Sequence, residues 1–95
     1  MMKPCVYILT NATNSVLYTG VTSDIEQRVM QHREGREYSF TCRYHLSKLV
    51  YVEYHPTMDS AIMREKQIKS WARSRKEELI NSVNPMWREL MPCEE

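Results

Sequence analysis

Two tyrosines, Tyr7 and Tyr18, an arginine and a histidine four residues apart, Arg28 and His32, and one carboxylate, Glu65, are the side chains of this sequence best suited to chemistry. The first four fall within Val6 to His32, which reads as two short β-type runs, a glycine and the start of a helix. Two phenols, a guanidinium and an imidazole on one hairpin-plus-helix unit exceed what a small domain needs merely to fold. This stretch is therefore read as one wall of an active site. For each tyrosine alone, a half-buried strand aromatic with its hydroxyl at the surface is the competing reading. Glu65 stands in the middle of an apolar helical stripe, where an unpaired charge is costly, so it must meet a cation, a metal or an open cleft. An ion pair with Arg28, or with Lys69 one turn further on, is its structural alternative.

The elements that must position these groups follow from local pattern. Cys5 to Leu9 and Val16 to Val21 are rich in β-branched, aromatic and aliphatic residues, with turn formers from Thr10 to Ser15 between them, which predicts a β-hairpin. Gly20 sits where strand passes to helix, and either a backbone angle that other residues resist or a close backbone approach would explain it. Ser23 with Glu26 fits a capping box, and Asp24 adds favourable charge to the first turn. On the helix that follows, Ile25, Arg28, Val29 and His32 share one arc. Arg36 to His45 has no clean period and reads as a loop with at most a helical turn, either a solvated connector or a segment in which Arg43 among aromatic residues holds phosphates and stacks on bases.

Leu46 to Tyr54 reads as a third strand, with Leu49, Tyr51 and Glu53 on one face and Val50, Val52 and Tyr54 on the other. His55-Pro56-Thr57 ends it and caps a second helix from Met58 to about Ala72, whose apolar stripe is Met58, Ala61, Ile62, Ile68 and Ala72. A break near Ser74 precedes a shorter helix, Lys76 to Ser82, and Trp87 and Leu90 are expected to anchor the closing segment. The basic residues Arg64, Lys66, Lys69, Arg73, Arg75 and Lys76 are either a solvated helix face or a track for a phosphate backbone.

Ninety-five residues make one domain, 1–95, with a core over about 5–90. An apolar share of 42% and a charged share of 26% are those of a globular protein, and a net charge of +1 leaves any polyanion site to local clustering. The first apolar run is broken too soon for a signal peptide and no later run is long enough to span a membrane, so a cytoplasmic protein is expected. Cys5, Cys42 and Cys93 are odd in number and widely spaced, which argues against a disulfide framework or a structural zinc site.

Val6-Tyr7-Ile8 and Tyr18-Thr19-Gly20, followed by Val21-Thr22-Ser23-Asp24, Arg28 and His32, resemble the paired tripeptides and following helix of the GIY-YIG endonuclease superfamily. Glu65 within Arg64-Glu65-Lys66-Gln67-Ile68-Lys69 matches the acidic residue of that family's later helix. The resemblance runs from about Val6 to Leu90 and is closest to the family's small, uncharacterised single-domain branch. V-Y-I stands for G-I-Y and Y-T-G for Y-I-G, and both substitutions keep the tyrosines.

The resemblance implies an α/β (α+β) fold with a small three-stranded, mostly antiparallel sheet flanked by helices in the order β-β-α-β-α-α. It implies metal-dependent endonuclease activity on DNA, in preference to RNA, with little sequence specificity. Glu65 would hold one Mg²⁺ (or Mn²⁺) largely through retained waters. Arg28 would offset charge on the phosphoryl oxygens, and Tyr7 or Tyr18 would activate water with His32 as proton acceptor. The family's polar residue near the C-terminal end is placed at Asn84, with Asn81 as competitor. Arg43, Lys66, Lys69 and Arg73 would contact nucleic acid. Similar domains in DNA repair and homing nucleases work beside a DNA-binding module, so substrate choice here would rest on the domain itself, on a homo-oligomer or on a partner protein. The rival readings are a nucleic-acid binder without useful turnover and a protein-interaction domain in which Glu65 and Arg28 form only a buried ion pair.

Overall fold

The computed structural model describes residues 3–34 and 45–91. It contains an antiparallel sheet of three strands, β1 (Cys5–Thr10), β2 (Leu17–Thr22) and β3 (Lys48–Tyr54), in the order β2-β1-β3. Three helices accompany it: α1 (Ile25–Arg33) between β2 and β3, then α2 (Met58–Lys69) and α3 (Arg73–Val83). This is the expected α+β architecture and element order.

Every residue of β1 is buried, because both of its edges are paired and both of its faces are covered. On one face Tyr7 and Leu9 pack with Val29 of α1, Leu46 and Leu49, joined by Tyr18, Ile25 and Val52. On the other, Val6 packs with Ala61 and Ile68 of α2, and Ile8 with Val50, Tyr51 and Ile80 of α3. The sheet is thus a two-sided wall, with α1 on one side and α2 and α3 on the other.

The β1–β2 turn is built by Asn11, whose Oδ1 accepts from the backbone N–H groups of Ser15 at 2.9 Å and Val16 at 3.2 Å. Asn14 supplies the left-handed residue of the turn, at φ 60. Helix α1 is capped by Asp24 and not by Ser23. The Ser23 carbonyl is drawn into a bond with the Lys3 N–H at 2.8 Å, so the last extended residue, and with it the cap to the Gln27 N–H, falls one position later. Thr57 caps α2 by accepting from the Ser60 N–H, as its position after His55-Pro56 implies.

Several details differ from expectation. Helix α2 stops at Lys69, because the Ser70 hydroxyl bonds back to the Gln67 carbonyl and Ala72 is extended; α3 then starts at Arg73. In β3 a bulge interrupts the alternation: Ile8 pairs with Tyr51 but Leu9 with Leu49, leaving Val50 as the extra residue. Leu49 and Val52 therefore face α1 while Val50 and Tyr51 face α3, a division that strict alternation does not give. Trp87 packs against the Ile8 cluster as expected, whereas the Leu90 side chain is exposed and Met91 packs against the Tyr7 cluster. Among the described residues no helix is long and apolar enough to cross a membrane.

Candidate active site

Tyr7 and Tyr18 stand on the face covered by α1, on adjacent strands, with ring centroids 6.3 Å apart. The hairpin register pairs Tyr7 with Gly20, and the absence of a side chain there is what admits the Tyr7 ring. A Cβ on Gly20 would lie 2.5 Å from both Cζ and the hydroxyl oxygen of Tyr7. Of the two explanations for this glycine, close approach is the one the structure supports.

Helix α1 carries His32 onto the same group. Its Nε2 is 3.2 Å from the Tyr7 hydroxyl, and its ring lies 6.0 Å from Tyr7 and 5.7 Å from Tyr18. With Nε2 unprotonated the phenol donates to it; with Nε2 protonated the imidazole donates to the phenol oxygen. The pair can therefore pass a proton in either direction within a buried contact. Arg28, one turn earlier on α1, is half-buried and makes no side-chain hydrogen bond or ion pair among the described residues. Its charge is available to an anion.

Glu65 comes from the helix on the opposite face, so its relation to the tyrosines depends on the edge of the sheet. Strand β2 is that edge, and α2 packs beside it, with Ala61 and Ile68 flanking Glu65 and reaching Val6 and Val21. The Lys69 ammonium lies 2.7 Å from Glu65 Oε2 and 5.9 Å from the Tyr18 ring centroid. The same ammonium lies near both, which brings the carboxylate to the Tyr18 side of the β2 border. Glu65 is only 9% exposed, and Lys69 compensates its charge as the structural alternative required.

The remaining expected site residues are placed elsewhere. Asn84 ends α3 and is buried, with Nδ2 donating to the carbonyls of Val50 at 2.9 Å and Arg88 at 3.0 Å while Oδ1 accepts from the Arg88 N–H at 3.1 Å. These bonds tie β3 to the closing turn, and none reaches the Tyr7 group. Asn81 accepts from the Trp87 indole at the surface. The Arg73 guanidinium binds the Asn14 and Ser15 carbonyls and Glu77, so its donors are committed to the hairpin turn and to its own helix. Lys66 is exposed. Arg43 lies outside the described residues.

A second polar cluster went unremarked in the sequence. Glu53 accepts from the Tyr51 hydroxyl, pairs with His55 Nε2 at 2.6 Å and receives Arg64 Nε at 2.9 Å. Burial raises the Glu53 carboxyl, but the hydrogen bonds from Tyr51, Arg64 and His55 and the Arg64 charge outweigh it and hold the group below its ordinary value. The spacing Tyr51, Glu53, His55, every second residue of a strand, was the available signal. Cys5 is no nucleophile: burial, and secondarily the Asp24 charge, push its thiol up to about 11.

Residues 3–78 match the family model described as the GIY-YIG catalytic domain. The chain belongs to the GIY-YIG family. It is 39% identical over 74 residues to a UPF0213 protein of Haloquadratum walsbyi, covering 78% of this chain and 82% of that one. It is 37% identical over 81 residues to a UPF0213 protein of Staphylococcus saprophyticus, covering 85% and 98%. The solution NMR structure of a UPF0213 protein from Bacillus halodurans superposes with a TM-score of 0.58 at 28% identity over 93% of both chains. The chain thus joins a small single-domain group of GIY-YIG proteins. The GIY-YIG match spans the hairpin, α1, β3 and α2, the elements that carry Tyr7, Tyr18, Arg28, His32 and Glu65.

The family implies a divalent metal, and the donor set limits how it could be held. Among the described residues no three His, Cys, Asp or Glu side chains cluster, so a dehydrated metal cage is ruled out for them. Glu65 alone offers a nearly buried, hard carboxylate whose charge already attracts a cation. That fits Mg²⁺ or Mn²⁺ held by one carboxylate with most of its waters kept.

Proposed function

We propose that this protein is a metal-dependent endonuclease that hydrolyses phosphodiester bonds in DNA with little sequence selectivity. The observation that carries the reading is the Tyr7–His32 hydrogen bond, with Tyr18 packed against both rings and Glu65 tied to the Tyr18 side of the group through Lys69. A free phenol has a pKa of roughly 10, so it serves as a base at neutral pH only beside a proton acceptor and positive charge. His32 is the acceptor, and Arg28 and Lys69 are the charges.

In this mechanism one of the two phenols, the half-buried Tyr18 or Tyr7 behind it, takes a proton from the attacking water as the water oxygen bonds to phosphorus, with His32 accepting the proton in turn. The P–O bond to the leaving sugar oxygen breaks, and that oxygen gains a proton from solvent. Arg28 balances charge growing on the non-bridging oxygens. A Mg²⁺ at Glu65, when bound, would stabilise the leaving oxygen. The other phenol orients the water, and the Tyr18 ring walls the site. Lys66 and Lys69 give the substrate backbone its nearest cations.

The Glu65–Lys69 pair also supports a second reading, a nucleic-acid-binding domain without turnover, because the buried acid is already compensated. Incubating purified protein with supercoiled plasmid, branched DNA and RNA, with Mg²⁺, Mn²⁺ or chelator, separates the two. The nuclease reading expects metal-dependent nicking that Glu65→Ala and Arg28→Ala each abolish while binding and folding persist. Binding with no nicking by the parent protein establishes the second reading. Nicking that survives chelator or is unchanged in Arg28→Ala points to a contaminant.

A further inference from the structure

We propose that Lys69 is a resident counter-cation of Glu65 that a divalent metal must displace, and that the displaced ammonium then serves the nucleic-acid backbone. This rests on the reading of Glu65 as the metal-holding residue. Three observations carry it. Lys69 Nζ sits on Glu65 Oε2 at 2.7 Å, the position from which a metal would draw its charge compensation. Glu65 is the sole acid of the site among the described residues, so metal and ammonium contend for one carboxylate. The Lys69 side chain is 51% exposed while that of Glu65 is 11% exposed, so the ammonium can swing away whereas the carboxylate is held by its helix and the sheet.

When the ammonium leaves Oε2 it remains on the Tyr18 side of the site, from which it was only 5.9 Å from the ring centroid. A single positive charge is thereby transferred from the acid to the surface a phosphate would approach. Metal-free protein would then present a neutralised acid and a weakened phosphate site. Metal-loaded protein would present both a bound cation and a freed ammonium. Metal and nucleic acid would bind with positive coupling, and the coupling is necessarily reciprocal.

The test measures binding and not cleavage. Mn²⁺ affinity of the full chain is followed by electron paramagnetic resonance of the free ion, in the parent protein, Lys69→Met, Lys69→Arg and Glu65→Gln, with thermal melts confirming that each is folded. Removing the competitor should tighten Mn²⁺ about two- to fivefold in Lys69→Met, in keeping with a partly exposed ion pair, while Lys69→Arg stays near the parent. In Glu65→Gln the affinity should collapse. Equal or weaker Mn²⁺ binding in Lys69→Met, with Glu65→Gln still impaired, overturns the proposal and leaves Glu65 as ligand. Unchanged binding in Glu65→Gln overturns the assignment of the metal to Glu65, and the role of Lys69 with it.

Discussion

Gly20 faces Tyr7 across the β1–β2 ladder so closely that one added carbon would stand 2.5 Å from the phenol oxygen. The Tyr7 ring is fully buried and cannot yield as a flexible surface side chain would. Gly20→Ala should therefore displace the hydroxyl from His32 and overpack the core, at a stability cost of about 1–3 kcal/mol. Urea unfolding reads the cost. Cleavage at a temperature where the variant is folded should fall by at least about tenfold. A variant as active and as stable as the parent would show that Tyr7 tolerates movement.

Tyr7→Phe removes the bond to His32 and keeps the ring that fills the core. Stability should fall by about 1–3 kcal/mol, because the buried His32 Nε2 loses this partner. Nicking should drop by about 10²–10⁴-fold, the usual contribution of a positioned acid or base. Tyr18→Phe, assayed beside it, assigns the base: the larger loss marks the phenol that takes the proton.

Asn84 uses one buried amide to hold two carbonyls and one N–H of β3 and the closing turn. Asn84→Ala should lower stability by about 1–3 kcal/mol, because partners are left unsatisfied. Its nicking rate per folded molecule should stay within a few fold of the parent. A loss comparable with that of Tyr7→Phe, in a variant shown to be folded, would put Asn84 in the reaction after all.

Acid should loosen the contact between β3 and α2. The Glu53 carboxyl is held below its ordinary value in the folded chain, so protons bind the unfolded state first. Its contribution is complete above the unfolded pKa of about 4.3 and is lost as pH falls through the lower folded value. Urea midpoints measured from pH 7 to pH 3 should decline in the parent more steeply than in Glu53→Gln. Parallel declines would mean that other carboxyls govern acid sensitivity.

Much of this architecture was legible in the chain because local signals agreed with global packing. The hairpin, the helix bearing Arg28 and His32, the third strand and the acid-bearing helix all lie where their periodicity puts them. Misreadings came where a contact distant in sequence decides a local choice. Lys3 shifts the cap of α1 by one residue, and β1 imposes the bulge at Val50. Arg73 reads as a phosphate ligand by charge alone, yet the hairpin turn 58 and 59 residues away absorbs its guanidinium. Gly20 was visible as special, but its reason depended on a register that only the folded hairpin fixes.

The central position of β1 has a consequence for how the domain comes into being. Of the three strands it is made before the other two and is the last to be satisfied, since its second edge waits for Lys48–Tyr54 and its second face for α2 and α3. Until then a largely apolar strand with one open ladder is presented by the nascent chain, an invitation to aggregation that quick synthesis of the second half relieves. The phenols are made early and Glu65 late, so a half-made chain cannot assemble the candidate site.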